Sequence, residues 1–341
     1  MKKGHQVTMK EIAKKLGVSV STISRALKDS PELHPETKRK IVEMAKEMNY
    51  QPNLLAQSLR ISRTKTLGVI VPEITSHFFA SCISGIQDFA TKRGYNVMIC
   101  QSNEFIDQEI ANIRTLVASQ VDALLISLSR ETNHFEHLFD LYNREIPFVL
   151  FDRVQEDIPV SKITFNDAGG AYQVTHHMLE QGCRRIAYVS GPEDLYISKK
   201  RKEGYLKALD EYGITEEESI IKVTDLTLEG NRKVAKEIAE MKPRPDGVFC
   251  MIDPVAVDVL TYWKSIGVKV PEEICLAGFT DNPTAAVVEP PLTTVSQPGY
   301  EMGRLAVSHL LDQLEGLASD DPISIVLETT LVPRKSTQKK H

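Results

Sequence analysis

Apolar positions near the N-terminus follow a helical period. Met9, Ile12, Ala13 and Leu16 recur three and four residues apart, Gly17 breaks the pattern, and Ile23 and Ala26 resume it behind Ser19, a residue type that caps helices. Two short helices joined by a Gly-Val-Ser turn are therefore expected between Val7 and Leu27. A third follows a polar loop: Pro35 suits a first helical turn, and Ile41, Val42, Ala45 and Met48 supply an inward face as far as Met48. Three helices can then share one small core, ended by Tyr50, Gln51 and Pro52. NLLAQSLR (53–60) is helical in composition but only about two turns long, below the ~12 residues at which an isolated helix holds in water. Residues 61–65 are polar and aperiodic and read as the end of a linker.

From Thr66 the texture changes. LGVIVP (67–72), NVMIC (96–100), ALLIS (123–127) and FVLF (148–151) are short apolar runs separated by helical patterns at 79–92, 107–119 and 135–144. This is βα alternation, which predicts a parallel sheet covered on both faces. The alternation restarts with helices at 168–181, 198–212, 229–241 and 254–266, and strands at 186–190, 220–223, 247–251 and 274–279. A last helix (300–314) and a strand (323–331) complete the body, and the basic end from Arg334 reads as a disordered tail. Two open sheets in one chain leave a cleft between them, with ligands expected at the carboxyl ends of strands.

Charge divides the 341 residues unevenly. Residues 1–60 hold 12 Lys or Arg against 6 Asp or Glu, whereas the remainder holds 29 against 40. The small basic end suits a polyanion and the acidic remainder does not. The second helix of the N-terminal pair exposes Val20, Ser21 and Arg25 at its start and along one face, where such helices meet base edges in a major groove. Five scattered cysteines lack the close pairs of a zinc or redox motif and are expected as free, mostly buried thiols. With no apolar leader and no membrane-length apolar run, a cytoplasmic protein is expected. His176 and His177 are neighbours without an i,i+4 partner and read as helix surface rather than metal ligands. No phosphate loop, nucleophile elbow or carboxylate pair stands out, so neither catalysis nor a cofactor is expected.

An ordered set of motifs runs through nearly the whole chain: VTMKEIAKKLGVSVSTISRAL, ETKRKIVEMAKEMNYQPN, the AQSL of residues 56–59, LGVIVPEITSHFF, VDALLIS, PFVLFDR, GCRRIAYVSGP, RKEGYLKAL, and AGFTDNP leading to PPLTTVSQPGYEMG. By these it resembles the LacI/GalR family of bacterial transcription regulators. The resemblance implies a homodimer that binds a palindromic operator through the headpiece, with affinity set by a small effector, a sugar or sugar derivative, in the cleft of a periplasmic-binding-protein-like core. By resemblance, Val20, Ser21 and Arg25 read bases, Thr22, Ser24 and Asn53 position phosphates, and Leu59 is the hinge leucine that wedges into a base step. Phe78, Phe79, Asp152, Arg201, Asp253, Thr280 and Gln297 match effector positions. Two of these regions depart from the family: Thr280 stands where many sugar-responsive members carry Asp, and Ile252 where some carry Asn, with Leu226 as an apolar substitute for a stacking aromatic.

The expected organisation is a helix-turn-helix domain (1–51), a hinge and linker (52–65), an N-subdomain (66–164 and 295–324), a C-subdomain (165–294 and 325–334) and a disordered tail (335–341). A repressor is the expected role. The competing class, a solute-binding protein without transcriptional role, has the cleft but neither a headpiece nor a reason to lack an export signal.

Overall fold

A computed structural model of the chain describes residues 7–27, 30–50, 63–215 and 220–338. The hinge residues Asn53 and Leu59 lie outside the described residues. The chain divides into two compact units, Met1–Thr64 and Lys65–His341.

The first unit is three helices, α1 (Met9–Leu16), α2 (Val20–Leu27) and α3 (Pro35–Glu47). Thr8 opens α1 with a capping box: its side chain accepts from Glu11 N while the Glu11 carboxylate takes the Thr8 N–H at 2.7 Å. Gly17 closes it in the left-handed region (φ 64°), and Ser19 Oγ accepts from Thr22 N at 3.1 Å to start α2. Ile12, Ala13, Ile23, Ala26, Ile41 and Ala45 form the buried centre. Val42, expected inward, is only half-buried and lies outside that cluster.

The second unit holds two parallel sheets. In chain order its elements are β1 (Thr66–Val71), α4 (His77–Lys92), β2 (Asn96–Gln101), α5 (Ile106–Ala118), β3 (Ala123–Ile126), α6 (Glu136–Asn143), β4 (Phe148–Phe151), β5 (Lys162–Phe165), α7 (Asp167–Glu180), β6 (Ile186–Ser190), α8 (Tyr196–Glu211), β7 (Ile220–Val223), α9 (Leu228–Glu240), β8 (Gly247–Cys250), α10 (Asp253–Ser265), β9 (Cys275–Ala277), α11 (Pro283–Val287), β10 (Thr294–Ser296), α12 (Gly299–Leu314), β11 (Ser324–Leu327) and β12 (Thr330–Val332). The N-subdomain sheet has the order β11-β5-β4-β3-β1-β2 and the C-subdomain sheet β7-β6-β8-β9. Every pairing within these two sheets is parallel. Strands buried along their whole length, such as Ala123–Ile126 and Gly247–Cys250, explain the continuous rather than alternating apolar runs.

The chain crosses between subdomains three times, from β5 into α7, from β10 into α12 and from β11 into β12. This corrects the expected boundaries. Thr294–Ser296 packs with the C-subdomain, where Val295 is in the core and Thr280 bridges Ser296, so the return to the N-subdomain falls after Ser296 rather than at residue 295. The single strand expected over 323–331 is two: β11 pairs with β5 through Leu327, beyond the expected limit of 324, and β12 pairs antiparallel with β10. The expected tail is ordered through residue 338. Lys335–Thr337 forms a 3-10 turn in which Ser336 and Thr337 are fully buried, Ser336 Oγ donating to the Leu276 carbonyl and accepting from Thr293 N at 2.8 Å. Hydroxyls rather than apolar side chains hold it, so no hydrophobic pattern announced it.

Cys82, Cys183, Cys250 and Cys275 are buried and Cys100 half-buried, and none is in a disulfide. No helix among the described residues is long and apolar enough to cross a membrane.

Candidate functional site

On α2 the buried residues Ile23 and Ala26 turn the opposite face outward. Val20 (40% exposed), Ser21 and Arg25 are exposed, with Thr22 and Ser24 half-buried beside them. The hydroxyls of Ser21 and Thr22 lie 2.7 and 2.8 Å from Ser19 Oγ, so the capping residue also orients the helix start. Arg25 meets Glu32 at 3.7 Å with both side chains more than half exposed, a surface pair worth little and easily exchanged for an external anion.

In the second unit a cavity of about 620 Å³ opens between the two sheets. Its lining comes from the carboxyl ends of strands in both subdomains, the place where parallel α/β sheets bind ligands. The N-subdomain supplies Phe78 and Phe79 at the start of α4, Asn103 and Glu104 after β2, Arg130 after β3, and Asp152 and Arg153 after β4. The C-subdomain supplies Ile197 and Arg201 on α8, Leu226 and Thr227 after β7, Ile252 after β8, and Thr280 and Asn282 after β9, with Gln297 between β10 and α12. Arg130 Nη1 donates to the Asp225 carbonyl at 3.0 Å, joining the two walls directly.

Phe78 is the more accessible aromatic, edge-on to Phe79 (5.1 Å) and Phe165 (5.8 Å), whereas Phe79 is 4% exposed and belongs chiefly to the core. Arg201 is held before any ligand arrives. Its Nε donates to Asp167 Oδ1 at 2.8 Å with Nη2 2.7 Å from the same oxygen, Nη1 donates to the Met251 carbonyl, and the guanidinium stacks on Phe279 at 3.8 Å. Gly204, one turn along α8, makes this possible: a Cβ there would stand 2.0 Å from the Ala168 carbonyl, so only glycine lets α8 come this close to α7.

Burial pushes the Asp152 carboxyl up to about 7, opposed by Arg153 and Arg201 and reinforced by Asp167 and Glu104. Glu104 is also penalised by burial, but Arg153 at 2.6 Å and the Arg130 N–H hold it below the ordinary carboxylate range. Asp253 rises to about 7 by burial, against hydrogen bonds that favour its charge.

Asp253 is the one expected effector residue that does not line the cavity. It is fully buried, and its carboxylate accepts from Thr294 Oγ1 (2.7 Å), Asn282 N (2.7 Å) and Thr280 Oγ1 (3.4 Å). It braces the loop that carries Thr280 and Asn282, and leaves its neighbours Ile252 and Pro254 to face the cavity. Phe78, Phe79, Asp152, Arg201, Thr280 and Gln297 are all brought together there. Glu104, Arg130, Arg153, Ile197 and Asn282 were not singled out for the cleft from sequence, although Arg153 directly follows Asp152 in the family-like PFVLFDR run. His176 and His177 lie half-buried on α7, His177 bonded to Thr337 at 2.9 Å, and no metal-binding cluster is found among the described residues.

A basic helix-turn-helix unit followed by a two-sheet core with a cleft at the strand ends defines a DNA-binding transcription regulator with a periplasmic-binding-protein-like core. Residues 8–53 match the model of bacterial regulatory proteins of the lacI family, and residues 175–337 that of the periplasmic binding protein-like domain. The ribose operon repressor of Halalkalibacterium halodurans is 31% identical over 333 residues, 97% of each chain. Among solved structures, the transcriptional regulator CelR in complex with cellobiose is 27% identical with a TM-score of 0.74, covering 97% of this chain and 100% of that one. The Lac repressor dimer bound to operator and the anti-inducer ONPF shares the fold, with a TM-score of 0.87 at 22% identity over 98% of this chain and 99% of that one. The chain belongs to the LacI family of bacterial regulatory proteins.

Proposed function

We propose that the protein is a cytoplasmic repressor that binds a palindromic operator as a homodimer, and that a sugar or sugar derivative in the cleft sets its affinity for DNA. The observation that carries the second half is the cavity itself, about 620 Å³ and walled by strand ends of both subdomains, so that a ligand touching both walls favours one relative setting of the sheets. A relative at 27% identity, CelR, is known in complex with cellobiose, which supports a carbohydrate. Val20, Ser21 and Arg25 read base edges, Arg25 having the fork that suits guanine and Val20 the apolar contact for a thymine methyl. Thr22, Ser24 and Asn53 contact phosphates, and Leu59 is the wedge. Two copies place two recognition helices on two half-sites, which is why the operator is a palindrome. Rotation of the subdomains about their three crossings then alters the spacing of the two hinge segments, and a few kcal/mol of differential effector binding decides the output. The cleft binds rather than catalyses.

Gel-shift selection from genomic fragments tests the DNA half: retention of a palindrome of ~12–20 base pairs supports it, and binding without sequence preference sinks it. A thermal-shift screen of sugars and sugar phosphates tests the other half, because a ligand at 100 times its Kd adds about 2.7 kcal/mol.

A further inference from the structure

Beside Pro254, three positions on the C-subdomain side of the cavity carry apolar side chains: Ile197 on α8, Leu226 after β7 and Ile252 at the start of α10. At two of them the local backbone favours something else. Leu226 has φ 65°, the left-handed region where glycine and asparagine are at ease and a leucine is strained. Ile252 is the N-cap of α10, at φ −144° and ψ 153°, and makes no capping bond. The same subdomain uses Asn166, Thr227 and Asn282 as side-chain caps for α7, α9 and α11, whereas α8, behind Leu195, and α10, behind Ile252, start without one. Leu226 and Ile252 both pack partly on the core, but both stay only half-buried, with the remainder turned to the cavity. Strain and a lost cap that coincide on one wall of a binding cavity mark a selected surface.

Two other lining residues, Gln297 and Arg153, want acceptors. Gln297, 8% exposed, has a buried Nε2 with no hydrogen-bond partner. Arg153 Nε is likewise without a hydrogen bond, 3.9 Å from Asp152 Oδ2. Buried donors left in this way are costly until something accepts from them.

Taking the cleft as the effector site, we infer that the effector is amphipathic: it lays an apolar group against Ile197, Leu226 and Ile252 and offers hydrogen-bond acceptors to Gln297 and Arg153. A glycoside with an aryl or alkyl aglycone fits this wall; a bare polyol or free monosaccharide, hydroxylated all round, does not.

The test is a fluorescence titration of the full-length protein with 1-anilinonaphthalene-8-sulfonate, whose rings match the wall and whose sulfonate supplies acceptors. The expected result is a saturable site that weakens about tenfold or more in the Leu226→Asn, Ile252→Asn double variant, with apolar contact removed at two places. Asparagine suits the backbone at both, so the far-UV signal and melting temperature should hold; if the double variant does not fold, Leu226→Asn alone carries the test. Phe78→Ala, on the facing wall, should weaken binding as well. Unchanged affinity in the asparagine variants while Phe78→Ala weakens it overturns the apolar-wall inference and leaves the cleft as a binding site. Absence of saturable binding, or binding indifferent to all three substitutions, overturns the inference too; the effector reading then stands or falls on the sugar screen alone.

Discussion

Asp167→Asn is the sharpest single probe of how the sensor is built. Asp167 and Arg201 are each 1% exposed at the side chain and meet at 2.7–2.8 Å. Removing the carboxylate charge leaves a buried guanidinium whose direct contacts, besides the new amide, are the Met251 carbonyl and the Phe279 ring, with Asp152 as the remaining carboxyl that its charge acts on. Breaking one side of a buried ion pair costs roughly 3–5 kcal/mol, and since asparagine keeps an oxygen for Nε the lower end, about 3 kcal/mol, is expected. For a unit of this size that is on the order of 6–12 °C in melting temperature. Trp263 is the only tryptophan, fully buried in the C-subdomain with its indole N–H on the Ala235 carbonyl at 2.9 Å, so urea unfolding followed by its fluorescence reports on the affected half. Measured at pH 8, with Arg201→Met and the double variant completing a cycle, the pair should show a coupling of about 2 kcal/mol, the double costing less than the two singles added. An Asp167→Asn loss below about 1 kcal/mol, or strictly additive singles, would refute the idea that this pair carries its charge at the heart of the cleft.

Other variants separate input from output. Arg25→Ala should lower affinity for a selected operator by about 10- to 100-fold, the worth of one good guanine contact, while leaving effector-induced thermal shifts unchanged. Asp152 titrates near 7 in the folded chain against an ordinary value of about 3.9 in the unfolded one, so the stability it contributes is present at acid pH and lost as pH rises toward 7. The stability of wild type relative to Asp152→Asn should therefore fall between pH 5 and pH 7, within that window, and level off above it; a difference rising with pH would contradict the assignment. Gly204→Ala forces a Cβ against the Ala168 carbonyl and the Tyr172 N–H, at 2.0 and 2.8 Å, both backbone and unable to yield. Overpacking should outweigh the ~1 kcal/mol helix-propensity gain of alanine, for a net loss of about 1–2 kcal/mol by urea denaturation, with weaker effector binding as α8 carries Arg201 away from Asp167.

Most strands and helices and the N-terminal turn were legible from local pattern, because strands such as Phe148–Phe151 are apolar end to end and Gly17 and Ser19 punctuate the headpiece, but the short elements β5, β10 and α11 were not expected. What escaped was set by partners distant in sequence. Asp253 sits at a strand end like a ligand, yet its carboxylate is taken by Thr294 and Asn282, 41 and 29 residues on. Arg130 lies in a polar loop with no periodicity, and its reach to Asp225 spans 95 residues. The limits of the subdomains blurred because β11, an edge strand with alternating burial, looks continuous with β12 until the two are assigned to different sheets.

The ordered C-terminal segment has a consequence for how the protein is made. β11 finishes the edge of the N-subdomain sheet, β12 pairs with β10, and Lys335–Thr337 fills the space under Thr293 and Leu276. All three lie beyond residue 323, so neither half of the core is complete until that stretch has left the ribosome, although the headpiece has had every residue it needs since early in synthesis. Stops or frameshifts just before Ser324 should thus be as damaging as lesions in the middle of the core. They would yield chains whose reader is folded and whose switch is not.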